Sequence, residues 1–205
     1  MRLTGTERAV AEVAAVAEHV ASLTAAAAAF QLRPDVPSPF ANGAAMARVP
    51  LVEEEAGEAK ITLGAIRGWA REVLGIEHVL AIWRALANDP RLLDVTWRKD
   101  RLIMSAGSLD ELVKGCAALA VAQFRQSAYW IAYFTHFLRA RCGVDHRGLV
   151  EVAGAVMHYV SFNTIAHGMR LEAPVSDMTA AEFVPGGPLE HFVPGVKRTI
   201  ASSGR

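Results

Sequence analysis

The chain has 205 residues, of which 52% are hydrophobic and 20% are charged, a composition typical of folded globular proteins and not of disordered ones. Lysine plus arginine equals aspartate plus glutamate at 21 each, so no long-range positive field attracts nucleic acid or an anionic membrane, and we expect neither as a partner. A net charge near zero favours self-association, so we expect a homo-oligomer.

The two cysteines, Cys116 and Cys142, lie far apart and form neither a Cys-x-x-Cys motif nor a metal-ligand spacing. Lone thiols fit a reducing compartment. The apolar N-terminal stretch is interrupted by Glu7, Glu12 and Glu18, unlike a secretory signal, and no segment has the roughly 20 uninterrupted apolar residues of a membrane span. We therefore predict a cytoplasmic protein without a bound metal or cofactor.

Residues 6–30 are rich in alanine with interspersed glutamate, which favours a helix. Its run of five alanines over 25–29 suits close packing, either within the chain or against another subunit. Residues 33–50 contain four prolines, which prevent a helix and indicate a linker. Residues 1–50 are thus predicted to be an N-terminal helix followed by a linker. The predicted apolar face of the helix comprises Val10, Val13, Val16, Val20 and Leu23.

The main domain, predicted over 51–172, reads as consecutive helices. Apolar spacing predicts a first helix over 54–73 that ends at Gly75, and a second over 77–87. Pro90 suits the first turn of the next helix, where a missing N–H has no cost.

A long helical stretch covers 109–141, with an expected break near 123–126, where polar residues interrupt the apolar run. Ser108, followed three residues later by Glu111, matches a capping box. Gly143 is expected to end this stretch.

Asp145 is expected to cap a final long helix that reaches about Arg170. The segment 173–205 is rich in proline and glycine and is predicted to be an irregular C-terminal arm. No strand-like alternation occurs, so the predicted fold is all-α, a bundle of about six helices.

Two blocks of the sequence resemble a known group. One runs over 83–93 (WRALANDPRLL), and the other runs from Ser108 through Leu119-Ala120-Val121-Ala122 and Gly143 to Phe162-Asn163. In order and spacing these blocks resemble the alkylhydroperoxidase D-like (AhpD-like) and carboxymuconolactone decarboxylase proteins, over about half of the chain. The resemblance implies an AhpD-like helical bundle that assembles as a homo-oligomer.

The redox members of that group carry a Cys-x-x-Cys, a histidine four residues later, and a glutamate on the preceding helix. The resemblance places these positions at Ser127, Trp130, Phe134 and Gly115. Peroxide reduction needs an attacking thiolate, a resolving thiol and a base network, and none of these four residues supplies one. We therefore expect that thiol peroxidase activity is lost.

Aromatic side chains occupy the replaced turn. They either pack as core or line an apolar pocket, at the location of the family's active site, for a small hydrophobic or aromatic molecule. The candidate pocket residues are Ser127, Tyr129, Trp130, Tyr133, Phe134 and Asn163.

A cofactor-free enzyme on the same scaffold is the alternative, similar to the carboxymuconolactone decarboxylases or the DehI-type 2-haloacid dehalogenases. The candidate acid–base groups are His136, His158 and His167. These histidines lack the paired spacing of a metal site, so no metal is expected. Whether the protein is an enzyme stays open at this level.

Overall fold

The computed structural model describes residues 5–36, 47–55 and 57–170, and within them the chain is helical and contains no strand. The predicted all-α class is therefore confirmed. A π-helical turn over Ala70–Leu74 continues directly from the second α-helix. The α-helices are α1 (Gly5–Ala29), α2 (Lys60–Trp69), α3 (Ala81–Leu86), α4 (Pro90–Met104), α5 (Glu111–Phe124), α6 (Ala128–Cys142) and α7 (His146–Gly168).

The chain divides into two compact units, Met1–Ser161 and Phe162–Arg205. The bundle formed by α1 to α6 lies in the first unit. The predicted arm over 173–205 and most of the predicted linker fall outside the described residues, so those boundaries stay predictions.

Several helix ends follow the predicted signals. Asp89 caps α4, since its carboxylate accepts from the backbone N–H groups of Arg91 and Leu92, and Pro90 occupies the first turn. α6 ends at Gly143, which has a φ of 69° that glycine adopts without strain. Asp145 accepts from the N–H of Gly148 at 2.9 Å at the start of α7, as predicted.

The predicted capping box at Ser108 is wrong. The capping residue of α5 is Asp110, whose carboxylate accepts from the N–H of Val113 at 2.8 Å. Ser108 instead donates its backbone N–H to the carboxylate of Glu12 at 2.7 Å. A contact from a distant helix therefore competes successfully with the local capping pattern.

Two predicted helices begin later than expected. The helix predicted over 54–73 begins at Lys60, and the one predicted over 77–87 begins at Ala81. The polar groups of the preceding chain bond to other segments: Glu54 accepts from the N–H of Val79 at 2.8 Å, and the Val52 carbonyl accepts from Arg84. Residues in the low fifties therefore lie against α3 as irregular chain.

Helix α1 packs against α4, α5 and α6 of its own chain. The inner part of its predicted apolar face is buried at Val16, Val20 and Leu23. The outer part is not, because Val10 is 65% exposed and Val13 is 41% exposed. The Ala-rich helix is thus part of the bundle core.

A buried ammonium group attaches the first half of α1. The Lys114 side chain is only 3% exposed, and its Nζ donates to the carbonyls of Ile103 and Ser105 at 2.9 and 2.7 Å. The carboxylate of Glu12 lies 3.0 Å from the same Nζ and also accepts from backbone N–H groups, beginning at Ser108. These contacts connect α1, the end of α4 and the start of α5.

A second polar contact attaches α1 about two helical turns after Glu12. His19 Nε2 lies 3.0 Å from Asp100 Oδ1, and both side chains are buried. Burial opposes the charged carboxylate, but the hydrogen bond from His19 and the positive charge of Arg101 hold the pKa of Asp100 below its usual range. The Arg101 guanidinium in turn lies over the rings of Trp69 and Trp97, 4.1 and 4.6 Å from their centroids.

Helices α1 and α7 are long and apolar enough to cross a membrane by length and composition. A buried core helix of a soluble protein meets the same criterion, and α1 has such a buried face. α7 has no buried residue.

The pH dependence of stability tests the attachment of α1. Hydrogen bonds from the Ser108 backbone, from Lys114 and from the Leu109 backbone lower the pKa of Glu12 from 4.5 to about 2. Because the folded-state pKa is depressed, the stabilisation is fully present above about pH 4.5 and is lost as pH falls toward 2. Urea unfolding at pH 7, 5, 4 and 3 should show wild type more stable than Glu12→Gln, by a margin that is constant to pH 5 and smaller at pH 3.

Glu58→Gln is the matched control, since Glu58 is exposed. If the difference in unfolding free energy between wild type and Glu12→Gln does not shrink between pH 5 and pH 3, the contact does not depend on an ionised Glu12.

Candidate functional site

The first half of α6 carries four buried aromatic side chains that pack against one another. We refer to Tyr129, Trp130, Tyr133 and Phe134 as the aromatic cluster. The Trp130 ring centroid lies 5.1 Å from those of Tyr129 and Tyr133, both in edge-on geometry, and 5.7 Å from that of Phe134. These are favourable aromatic geometries, so the cluster contributes to the core at the position where the resemblance places the redox turn.

Ser127 lies at the N-terminal end of α6 and is half-buried. Its backbone carbonyl accepts from the N–H of Ile131 at 2.8 Å, while its side chain makes no capping hydrogen bond. The turn before it contains Gln126 with a φ of 55°, the left-handed conformation that separates α5 from α6. The predicted break near 123–126 is therefore confirmed.

Helices α5 and α6 pack closely at Gly115. A Cβ atom at this position would lie 2.8 Å from Leu138 Cδ2 and 3.0 Å from Phe137 Cε1. Real Cβ atoms essentially never make a contact below 3.0 Å, so the Leu138 side chain or one of the helices would have to shift. The position where the resemblance places a glutamate thus has no free space for a side chain unless its neighbours rearrange.

The two thiols are poorly suited to nucleophilic chemistry. Burial raises the pKa of Cys116, and the nearby Asp110 raises it further. Burial and the Glu111 carboxylate raise the pKa of Cys142, and these effects outweigh the opposing effect of Arg141. A reactive thiol needs the opposite shift, because the thiolate is the nucleophile.

The candidate histidines lie in different settings. His136 is half-buried on α6, and its Nε2 lies 2.7 Å from the Leu74 carbonyl of the π-helical turn, so it connects these two elements. His158 is exposed on α7. His167 belongs to the second unit, where it lines a shallow surface groove with Asn163, Ala166 and Arg170. Nothing in this arrangement favours the enzymatic alternative.

No group of three His, Cys, Asp or Glu side chains that could hold a metal ion occurs in the described part of the chain. The prediction that the protein has no metal or cofactor is not tested by this observation.

Asp35 is a polar neighbour of the aromatic cluster that the sequence did not reveal. Its carboxylate accepts from the N–H of Ala81 at the start of α3, and the adjacent Tyr129 hydroxyl accepts from the N–H of Ile82 at 3.3 Å. Burial raises the pKa of Asp35. Asp35 lies in the proline-rich segment between Pro34 and Pro37, which carries no spacing signal that points to a site.

Within the described residues, the helices and the absence of strands give an all-helical bundle of the AhpD-like type. The particular solved structure that shares it is the crystal structure of the alkylhydroperoxidase AhpD core from Rhodospirillum rubrum ATCC 11170. The match covers 63% of this chain and 95% of that chain, with 29% sequence identity and a TM-score of 0.53. The chain therefore has an AhpD-like fold, as the sequence predicts. No protein-family model matches the chain, and no curated protein matches its sequence.

Substitution of Gly115 tests the contact between α5 and α6. Gly115→Ala should destabilise the protein by about 1–3 kcal/mol, because overpacking at the Leu138 contact outweighs the gain in helix propensity. Gly64→Ala in α2 is the matched control, since its added Cβ meets nothing within 4 Å and should stabilise by about 0.5–1 kcal/mol. Chemical denaturation measures both. Equal effects at the two glycines would show that the contact is not tight.

Proposed function

We propose that this protein is an AhpD-like protein that has lost the thiol peroxidase site. Gly115 carries the proposal, because it has no side chain and because Leu138 and Phe137 fill the space where the resemblance places an acidic one. Ser127, Trp130 and Phe134 add to it, since they offer neither a thiol nor a base at the remaining positions. The raised pKa values of the two thiols argue against a replacement nucleophile.

We further propose that the aromatic cluster binds a small hydrophobic or aromatic molecule. The support is a buried donor: the Trp130 side chain is 2% exposed, and its Nε1 has no hydrogen-bond acceptor among the described residues. Buried polar atoms in native proteins are nearly always paired, so an unpaired indole N–H beside apolar rings suits a bound molecule. Of the predicted pocket residues, Asn163 lies in the second unit and is not placed relative to the cluster.

Loss of the peroxidase site predicts no dithiol-dependent peroxide turnover. A coupled assay with a dithiol reductant and an organic hydroperoxide should give the same background rate for wild type and for Cys116→Ser and Cys142→Ser. The Rhodospirillum rubrum protein, whose structure is named an alkylhydroperoxidase core, is the positive control. Turnover by wild type that disappears in Cys142→Ser would contradict the proposal.

Self-association is the second part of the proposed function. The support is α7, in which no residue is buried and in which residues 152–169 contain no Asp, Glu, Lys or Arg. Large apolar side chains on it are exposed, among them Met157 at 70% and Ile165 at 54%. Such a surface is costly in water and is typical of an interface. We propose a cytoplasmic homo-oligomer in which α7 contacts another copy.

Charge insertion on α7 tests this assembly. Native mass spectrometry and sedimentation should show an oligomer for wild type and a shift toward monomer for Met157→Lys, because a buried lysine without a partner opposes association. Ile61→Lys is the matched control, since Ile61 is 87% exposed on α2 and lies outside the proposed interface. A monomeric wild type, or equal dissociation by both variants, would contradict the assignment.

A further inference from the structure

Two buried polar atoms at the aromatic cluster and beside Tyr129 have no hydrogen-bonding partner among the described residues. They are the indole donor Trp130 Nε1 and the acceptor Asp35 Oδ1. The Trp130 side chain is 2% exposed. Native proteins leave few such atoms unpaired, so this donor and this acceptor indicate a missing partner.

These atoms belong to segments that meet. Asp35 bonds to the N–H of Ala81, and Tyr129 bonds to the N–H of Ile82, the residue before Trp83. The Tyr129 hydroxyl is also close enough to the Asp35 carboxylate for each to perturb the pKa of the other. Trp130 follows Tyr129, with ring centroids 5.1 Å apart. The segment at Asp35, the start of α3 and the start of α6 thus converge on one region.

The missing partner must both donate and accept. Asp35 Oδ1 needs a donor, whereas the indole N–H of Trp130 needs an acceptor. A simple anion does not fit, because it would face the acceptor oxygens of Asp35. A hydroxyl or primary amide group has both functions, and the adjacent rings of Tyr133 and Phe134 suit an apolar body.

We propose that the aromatic cluster binds a small, neutral aromatic alcohol or amide whose polar end donates to Asp35 and accepts from Trp130. This inference rests on the proposed ligand binding and adds the chemical class of the ligand. Burial raises the pKa of Asp35, which agrees with a neutral group as its partner.

Three probe molecules of similar size distinguish the need for a hydrogen-bond donor from the need for an acceptor. Benzyl alcohol donates and accepts, acetophenone only accepts, and ethylbenzene does neither. Calorimetry or quenching of tryptophan fluorescence should give a dissociation constant for benzyl alcohol at least tenfold below that for ethylbenzene with wild-type protein. Equal affinity of wild type for the two would overturn the inference but leave the proposed hydrophobic binding intact.

Two variants test the two hydrogen bonds. Trp130→Phe keeps a ring but removes the donor, so the preference for benzyl alcohol over ethylbenzene should fall several-fold. Asp35→Asn can present an N–H₂ donor in place of the unpaired oxygen, so acetophenone should gain affinity relative to benzyl alcohol. Trp69→Phe is the control and should leave the ratios unchanged, since Trp69 packs against Trp97 and Arg101 instead.

An unchanged preference in Trp130→Phe would overturn the inference, even if Asp35→Asn fails to fold. Failure of all three probes to bind folded wild-type protein would contradict the proposed ligand binding as well.

Discussion

Helices α5 and α6 pack against each other at Gly115, and the positions of α1 and of the aromatic cluster depend on this pair of helices. Leu138 and Phe137 occupy the space that a side chain would need. Because α1 rests on α5 and the aromatic cluster projects from α6, a wider spacing between the two helices would disturb both. The same contact removes the room in which, by resemblance, a redox relative holds its acid. Under the function we propose, this one residue without a side chain both allows the close packing of α5 on α6 and leaves out the acidic group.

The attachment of α1 combines apolar burial with two specific polar contacts. The apolar part of the buried face of α1 comprises Val16, Val20, Leu23 and Ala27, and apolar burial by itself is non-directional. Glu12 with Lys114 and His19 with Asp100, seven residues apart on α1, fix one register. Buried polar pairs are weak evidence for net stability, since desolvation offsets their attraction. Their role here is best described as specifying the position of α1.

Local signals were sufficient for most of the helix order. Pro90 after Asp89, the polar turn near 123–126 and Gly143 each act through backbone geometry within a few residues, so the sequence alone predicts them. The errors share one cause, which is competition from distant segments. Ser108 bonds to Glu12, 96 residues earlier, rather than capping its own helix. Asp35 lies beside Tyr129 because of the same kind of long-range contact, its hydrogen bond from the N–H of Ala81. No spacing in the sequence predicts this contact.

The residues that set the helix order of this protein differ from those that the resemblance assigns to redox chemistry. The caps, the left-handed turn and the terminating glycine set the helix order that it shares with the Rhodospirillum rubrum structure. The positions assigned by resemblance to redox chemistry contribute little to those turns, apart from Ser127 at the start of α6. Trp130 lies where the resemblance places the second cysteine. An indole at this position is compatible with α6, because the neighbouring aromatic rings pack against it. Under the function we propose, this position offers a buried N–H and no thiol, and an unpaired N–H suits recognition of a neutral acceptor rather than attack on a peroxide.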